Sequence, residues 1–392
     1  MCPDSSGTAD PRRDSTPRTD ARLSVYVPTL AVGGAERVTV SIANGLADRG
    51  YDVDLVVSYP EGELRPAVSG DVDVVELGRV RVPVAGIGSH VPALADYLSR
   101  AAPAAVFTQK LDASVVCLAA ARLGGADTKV IPTIHSAFGM VSEPTVKSRV
   151  LEALAGRLLP SAHRVVAVSQ GVAESVVAAT AVRSADVSVL HNPVDVDGVR
   201  QQSRHPVDAE WVERDDVDLV VFVGRLDPQK DLETWLRAFA RVSRTNPDAR
   251  GIVAGRGPER DRLRGLVTDL GLDAEVSIPG YVDNPYRYMR NADAFLLASR
   301  FEGLPTVLIE ALACGCQVVA TDCPHGPREI LQDGLCGRLA PVGDDAALAR
   351  AVDAALTDPV PTDRLRRRAD DFAPDVVLDE YETFVGTYVL DG

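Results

Sequence analysis

The chain has 392 residues, 46% hydrophobic and 25% charged, with a net charge of −15. Length predicts two domains of roughly 150–200 residues each. No apolar run approaches the ~20 residues of a membrane span, which argues against a transmembrane protein, and the acidity argues against non-specific nucleic-acid binding.

The first stretch, residues 1–21, is polar with no apolar h-region, so it reads as a disordered tail rather than a signal peptide. Six cysteines in a chain without a secretory signal predict a reducing, cytoplasmic setting. Cys314, Cys316, Cys323 and Cys336 lack the spacing of a zinc site and read as small packing residues. Asp makes up 39 of the 56 acids and Lys only 4 of the 41 bases, which suggests adaptation to high salt. A codon bias favouring Arg explains the Lys shortage but less well the Asp excess. Residues 22–200 hold 16 bases and 18 acids, residues 201–392 hold 22 and 34, so the first half is the better candidate to face an anionic partner.

"LSVYVPTL" (23–30) is a β-rich run ending at a loop. "AERVTVSIANGLADRG" repeats apolar residues at helical spacing and is closed by Gly50, and "YDVDLVVS" is the next strand. Further strands are predicted at 72–77, 104–109, 129–135, 164–169 and 187–192. This is a parallel, doubly wound sheet, assigned to an N-terminal domain over 22–200. Residues 201–218 end a polar, weakly periodic stretch and read as the inter-domain linker. A second series follows over 219–375: strands 219–224, 250–255, 275–280, 294–299 and 317–321, with helices at 231–245, 258–270, 284–291 and 305–314. A last helix within 376–392 is expected to pack back on the first domain. Two such domains face each other across a cleft at the carboxyl ends of their strands, where ligands bind.

Gly33 and Gly34 stand between a strand and a helix, where the backbone can approach a ligand and the helix N-terminus favours anions; a plain tight turn is equally consistent. The spacing is not GxGxxG, which disfavours NAD and a dehydrogenase. Arg225 and Lys230 flank a strand end, as a diphosphate would require, against the alternative of solvated loop charges. In "RFEGLPTVLIEALACG" (300–315), Pro305 fits the first helical position and Thr306 and Val307 offer free N–H groups. Glu310 sits on an otherwise apolar helix, and a ribose diol would satisfy it; a buried pair with an Arg is the alternative. His135, Ser169 and Asn192 end strands of the first half, where a structural role is as consistent as a ligand role. "TVKSRVLEALAGRLLPSAHRVV" (145–166) carries Lys147, Arg149, Arg157 and Arg164 among apolar residues. An amphipathic core helix is the favoured reading, and peripheral contact with an anionic inner membrane face is the other.

"VGRLDPQKD", "GRGPERDRL", "GYVDNP", "ADAFLLASRFEGLPTVLIEALACG" and "VVATDCPHGPREIL", with "GGAERV", His135 and "HNPVD", resemble the GT4 family of retaining, GT-B glycosyltransferases over roughly 23–345. The resemblance implies a GT-B fold of two Rossmann-like α/β domains. It implies a nucleotide-sugar donor, UDP by family frequency, and a glycan or lipid-linked sugar acceptor. No Asp-x-Asp stretch between the domains is read as a metal motif, so Arg225 and Lys230 are expected to replace a divalent ion and no cofactor is expected to be required. The roles that the resemblance implies place Arg225 and Lys230 on the diphosphate and Glu310 on the ribose. Glu302, Gly303 and Leu304 hold the donor sugar, and Thr306 and Val307 donate to phosphate. Tyr281 and Val282 border the base, Gly255 joins the donor site, Gly33 and Gly34 meet phosphate or acceptor, and His135 lies against the sugar. Glu302, His135, Arg225 and Lys230 form the expected catalytic set. A nucleotide-sugar epimerase of related architecture is the alternative. Arg256 and Gln317 depart from the family's usual acid and Pro.

Overall fold

A computed structural model describes residues 21–391 except 32, 79–88, 126, 141–144, 208, 210, 213 and 215. The expected tail thus lies, but for its last residue, outside the described residues. The first half forms a seven-stranded parallel sheet in the order β3-β2-β1-β4-β5-β6-β7. Its strands are β1 (Arg22–Thr29), β2 (Asp52–Tyr59), β3 (Val72–Glu76), β4 (Ala105–Thr108), β5 (Lys129–Ile134), β6 (Val165–Ala167) and β7 (Val187–Val189). They alternate with α1 (Gly34–Asp48), α2 (Val91–Ala101), α3 (Leu111–Gly124), α4 (Val146–Leu158) and α5 (Gln170–Ala179). Leu23, Val25 and Val27 alternate with Ser24 and Tyr26, and all five are fully buried, because helices cover both faces of a parallel sheet. Gly50 takes φ +87 just past α1, the left-handed closure expected from the sequence.

The second half forms a six-stranded parallel sheet, β10-β9-β8-β11-β12-β13. It comprises β8 (Asp218–Val223), β9 (Ala249–Ala254), β10 (Val276–Gly280), β11 (Ala294–Leu297), β12 (Gln317–Thr321) and β13 (Arg338–Ala340). With them run α6 (Val196–Ser203), α7 (Leu232–Thr245), α8 (Arg260–Asp269), α9 (Tyr286–Asn291), α10 (Thr306–Cys314), α11 (Pro327–Ile330), α12 (Asp345–Thr357), α13 (Thr362–Asp370) and α14 (Pro374–Val385). The fold is α/β, two Rossmann-like sheets.

Three features were not read from the sequence. Helix α6 lies within the polar stretch that ends in the expected linker. Asp195 caps it by accepting from Gly198 N at 2.9 Å, and Val196 and Val199 are buried where it packs on α9 and α10. Residues 322–373 of the second domain, given no elements in the sequence reading, hold strand β13 and helices α11, α12 and α13. Helix α4 is the third: its apolar residues Val146, Val150 and Leu154 are exposed, while Ala155 is buried. In the stretch 145–166 read as an amphipathic core helix, Ala155, Leu159, Val165 and Val166 are buried, but four of the seven apolar side chains of α4 sit on the side that carries its cations.

α14 leaves the second domain and packs on the first. Val377, Tyr381, Phe384 and Val385 join Leu23, Val25, Ile42, Leu46 and Phe107 in one core cluster. The absence of a side chain at Gly45 makes room for Leu378. Arg49 pairs with Asp379 at 2.8 Å alongside. The chain therefore crosses between domains twice.

Candidate active site

A cleft of about 460 Å³ opens where the strand ends of both sheets meet. Gly34, Ala35, Val38, His135, Met140 and Asn192 line it from the first domain; Arg225, Gln229, Glu302, Gly303, Leu304 and Thr306 line it from the second. The topology explains the meeting: all strands of each sheet are parallel, so the turns after β1, β5 and β7 share one edge, as do those after β8 and β11.

On the second domain, Glu302 is 6% exposed and receives three groups. Lys230 Nζ approaches its Oε1 at 2.6 Å, Ser299 Oγ donates to the same oxygen at 2.6 Å, and Gln229 Nε2 reaches Oε2 at 3.5 Å. Gln229 also donates to Phe301 O at 2.9 Å, which fixes the loop. The buried ion pair that the sequence suggested for Glu310 thus belongs to Glu302. Arg225 is 72% exposed and pairs with Asp227 at 2.8 Å.

α10 begins one residue later than expected. Pro305 is its N-cap, not its first helical residue, and Leu308 N donates to Pro305 O at 2.9 Å. The consequence for the site is unchanged, because the N–H groups of Thr306 and Val307 have no protein acceptor among the described residues. One turn on, the half-buried Glu310 carboxylate has no hydrogen bond or ion pair among the described residues. Burial pushes its pKa from 4.5 up to about 7, and Arg37, reaching from α1 of the facing domain, pulls it back only in part.

At Gly303 the two domains approach closely. A Cβ there would strike His135 O, and its carbonyl accepts from Ser169 Oγ at 2.9 Å. Ser169 also caps α5, accepting from Val172 N at 3.3 Å. At the outer end of the site, Gly255 has φ +152 and donates to Gly280 O at 2.7 Å; any side chain there would meet Gly224 O. Tyr281 is half-exposed with Arg256 stacked 4.3 Å over its ring, and Val282 is half-buried beside it. Gly255, Tyr281, Val282, Val307, Lys230, Glu310 and Gly33 stand behind or beyond the cleft lining rather than on it. The other departure from the family, Gln317, clamps Val360 by accepting from its N at 2.8 Å and donating to its O at 2.9 Å.

On the first domain the two glycines divide their work. Gly34 lines the cleft with open space at its Cβ position. Gly33 instead makes room for the carboxylate of Glu36, so its smallness serves the protein's own side chain. Glu36 is buried and pairs with Lys110. His135 Nε2 lies 2.9 Å from Gln109 Oε1, and burial together with the nearby Lys110 charge lowers its pKa to about 4, so the ring is neutral. Asn192 Oδ1 is buried on the cleft wall without a partner among the described residues. Glu36, Arg37, Gln109, Lys110 and Gln229 were missed by sequence reasoning. Gln109 ends the run "AAVFTQ" and Lys110 directly follows it, and that strand-end position was the available signal.

The four clustered cysteines are free and buried, and none joins a metal-type grouping among the described residues. The three-carboxylate grouping that does occur, Asp52, Asp54 and Asp73, lies at the starts of β2 and β3, away from the cleft, with Arg22 beside it.

Two family profiles match successive parts of the chain. "Glycosyltransferase Family 4" covers residues 32–197 and "Glycosyl transferases group 1" covers 204–374. The chain belongs to the group 1 glycosyltransferases. It is 26% identical over 359 residues to an N-acetylgalactosaminyltransferase of Campylobacter jejuni that acts on N-acetylgalactosamine-N,N'-diacetylbacillosaminyl-diphospho-undecaprenol, covering 88% of this chain and 92% of that one. It is 30% identical to the lipopolysaccharide 1,6-galactosyltransferase of Salmonella typhimurium over 44% of this chain and 46% of that one. The structure superposes on Anabaena HepE in complex with UDP-glucose with a TM-score of 0.73 and 20% identity, covering 94% and 100%. This group 1 glycosyltransferase thus has the GT-B architecture, and it is an enzyme of glycosyl transfer.

Proposed function

We propose that this glycosyltransferase moves a hexose or N-acetylhexosamine from a nucleotide-diphosphate sugar, UDP first among them, to a sugar acceptor on a lipid carrier or cell-surface glycan. Configuration is retained, and no divalent ion or other cofactor is required. The observation that carries the reading is an ordered set of groups along one helix end. The Lys230–Glu302 pair comes first, then the N–H groups of Thr306 and Val307, then Glu310, these last three without a partner among the described residues. Thr306 and Glu310 are about 6 Å apart along the axis at 1.5 Å per residue, which suits a 5′-diphosphate and the diol edge of its ribose.

In this reading the C1–O bond to phosphate breaks and negative charge grows on the leaving diphosphate. Arg225, Lys230 and the first turn of α10 stabilise it. Lys230 retains two N–H donors beyond the one it gives Glu302. The acceptor oxygen bonds C1 from the same face, and its proton passes to the leaving phosphate, so no protein nucleophile is needed. Glu302 and the N–H groups of Gly303 and Leu304 hold sugar hydroxyls, and the neutral His135 faces the sugar. Tyr281 and Val282, with Gly255 behind them, border the base, and the Gly33–Gly34 turn admits the acceptor. The named substrates of the Campylobacter relative and the UDP-glucose bound to HepE support the substrate classes.

A thermal-shift panel of UDP, GDP, ADP and TDP sugars tests the donor, since the preferred one raises the melting temperature most. Glu310→Ala and Lys230→Ala then test the site. Full transfer by both variants overturns the assignment.

A further inference from the structure

We propose that the outward face of α4 docks this enzyme on an anionic bilayer. Val146 is 80% exposed, Val150 53% and Leu154 44%. At about 100° per residue these three and the exposed Ala153 fall within one stripe. Lys147 flanks the stripe on one side, Arg149 on the other, and Arg157 continues it at the C-terminal end. All three cations are exposed. On the opposite side Ala155 is fully buried, and Ser148, Leu151 and Leu158 are half-buried against the domain.

Charge selects the occupant. α4 carries three bases and a single acid in a chain of net charge −15. The acid, Glu152, is turned off the stripe, accepting from Gly139 N at 3.3 Å. An isologous pairing of two copies would set this cationic stripe against itself, whereas anionic headgroups over acyl chains match both halves of it. Gly139 belongs to the segment after β5 whose His135, Ser136 and Met140 line the cleft. The Glu152–Gly139 bond therefore ties the docking helix to the rim of the active site. A bilayer under α4 places the cleft beside the headgroup layer, where a lipid-linked acceptor would present its sugar. This last step rests on the proposed acceptor; the docking itself does not.

The test is co-sedimentation of the full chain with vesicles of phosphatidylglycerol and phosphatidylcholine, against pure phosphatidylcholine, without donor or acceptor. Binding is expected only to the anionic vesicles and is expected to weaken as salt rises. Val150→Ser with Leu154→Ser, and separately Lys147→Glu with Arg149→Glu, are each expected to weaken binding about tenfold or more, with melting temperatures unchanged. Equal binding to neutral vesicles, or full binding by both double variants, overturns the proposal. So does a dimer in sedimentation velocity that the Val150/Leu154 variant abolishes, because a second copy then covers the face. Vesicle binding without transfer to any lipid-linked sugar would count against the proposed acceptor and leave the docking face standing.

Discussion

Two carboxylates eight residues apart meet opposite fates. Glu302 is buried and satisfied by Lys230 and Ser299, whereas Glu310 is half-buried and has no hydrogen bond or ion pair among the described residues. Removing one partner of a buried pair strands the other charge, so Lys230→Ala should cost about 3–5 kcal/mol in urea unfolding. Lys230→Met with Glu302→Gln should recover most of that stability while transfer stays down by about 10²-fold or more, since the groups that meet the donor are gone. Glu310 makes the opposite prediction. Its carboxyl titrates near 7 in the folded chain against 4.5 unfolded. Its contribution is therefore intact below 4.5 and lost as pH rises through 7. Glu310→Gln should match the wild type in stability at pH 4 and exceed it by roughly 2 kcal/mol at pH 8, discounting the full shift for partial exposure. Donor affinity should rise through pH 7 in the wild type and stay flat in Glu310→Gln, measured by calorimetry.

At the scale of elements, helix ends do the positioning. α10 turns its N-terminus to the cleft because β11 ends beneath it, and α1 turns Gly34 there for the same reason after β1. The glycine positions are steric, and they make sharp predictions. Gly303→Ala would drive a methyl into His135 O, so the domains could not close to their present distance. Transfer should fall by about 10²-fold, a loss expected of ångström-scale misplacement, while the melting temperature changes little. α14 is a structural element of the domain it does not begin in. Ending the chain at Ala373 would uncover Val377, Tyr381, Phe384 and Val385 and their partners on α1 and β1. The first domain should then lose its cooperative melting transition by calorimetry, while the second domain keeps its own.

The whole molecule is held at the cleft by polar contacts between domains. His191 Nε2 bonds Glu329 Oε1 at 2.8 Å, Gln170 N donates to Glu329 Oε2 at 2.9 Å, and Ser169 Oγ reaches Gly303 O. Glu329 therefore joins the second domain to two elements of the first. Glu329→Ala should raise the radius of gyration in X-ray scattering and lower kcat more than it raises KM, because most groups proposed to hold the donor lie on the second domain while His135 reaches the sugar from the first. Transfer should also survive dialysis against EDTA if Arg225 and Lys230 carry the charge of the leaving diphosphate.

The alternation of apolar runs with helical spacing determined the two parallel sheets by itself, because burial on both faces imposes that pattern locally. The order "RLDPQK…RFEGLPTVLIEALACG" likewise brought out Arg225, Lys230, Glu302 and Glu310, since strand-end loops and helix starts are local features. Other facts were decided only by tertiary structure. That Lys230 closes on Glu302, that Gly33 shelters Glu36, and that Arg37 faces Glu310 across the cleft depend on segments far apart in the chain. Which side of α4 is buried depends on the domain it lies against: periodicity shows that a helix has two faces, and only packing decides which one meets the core.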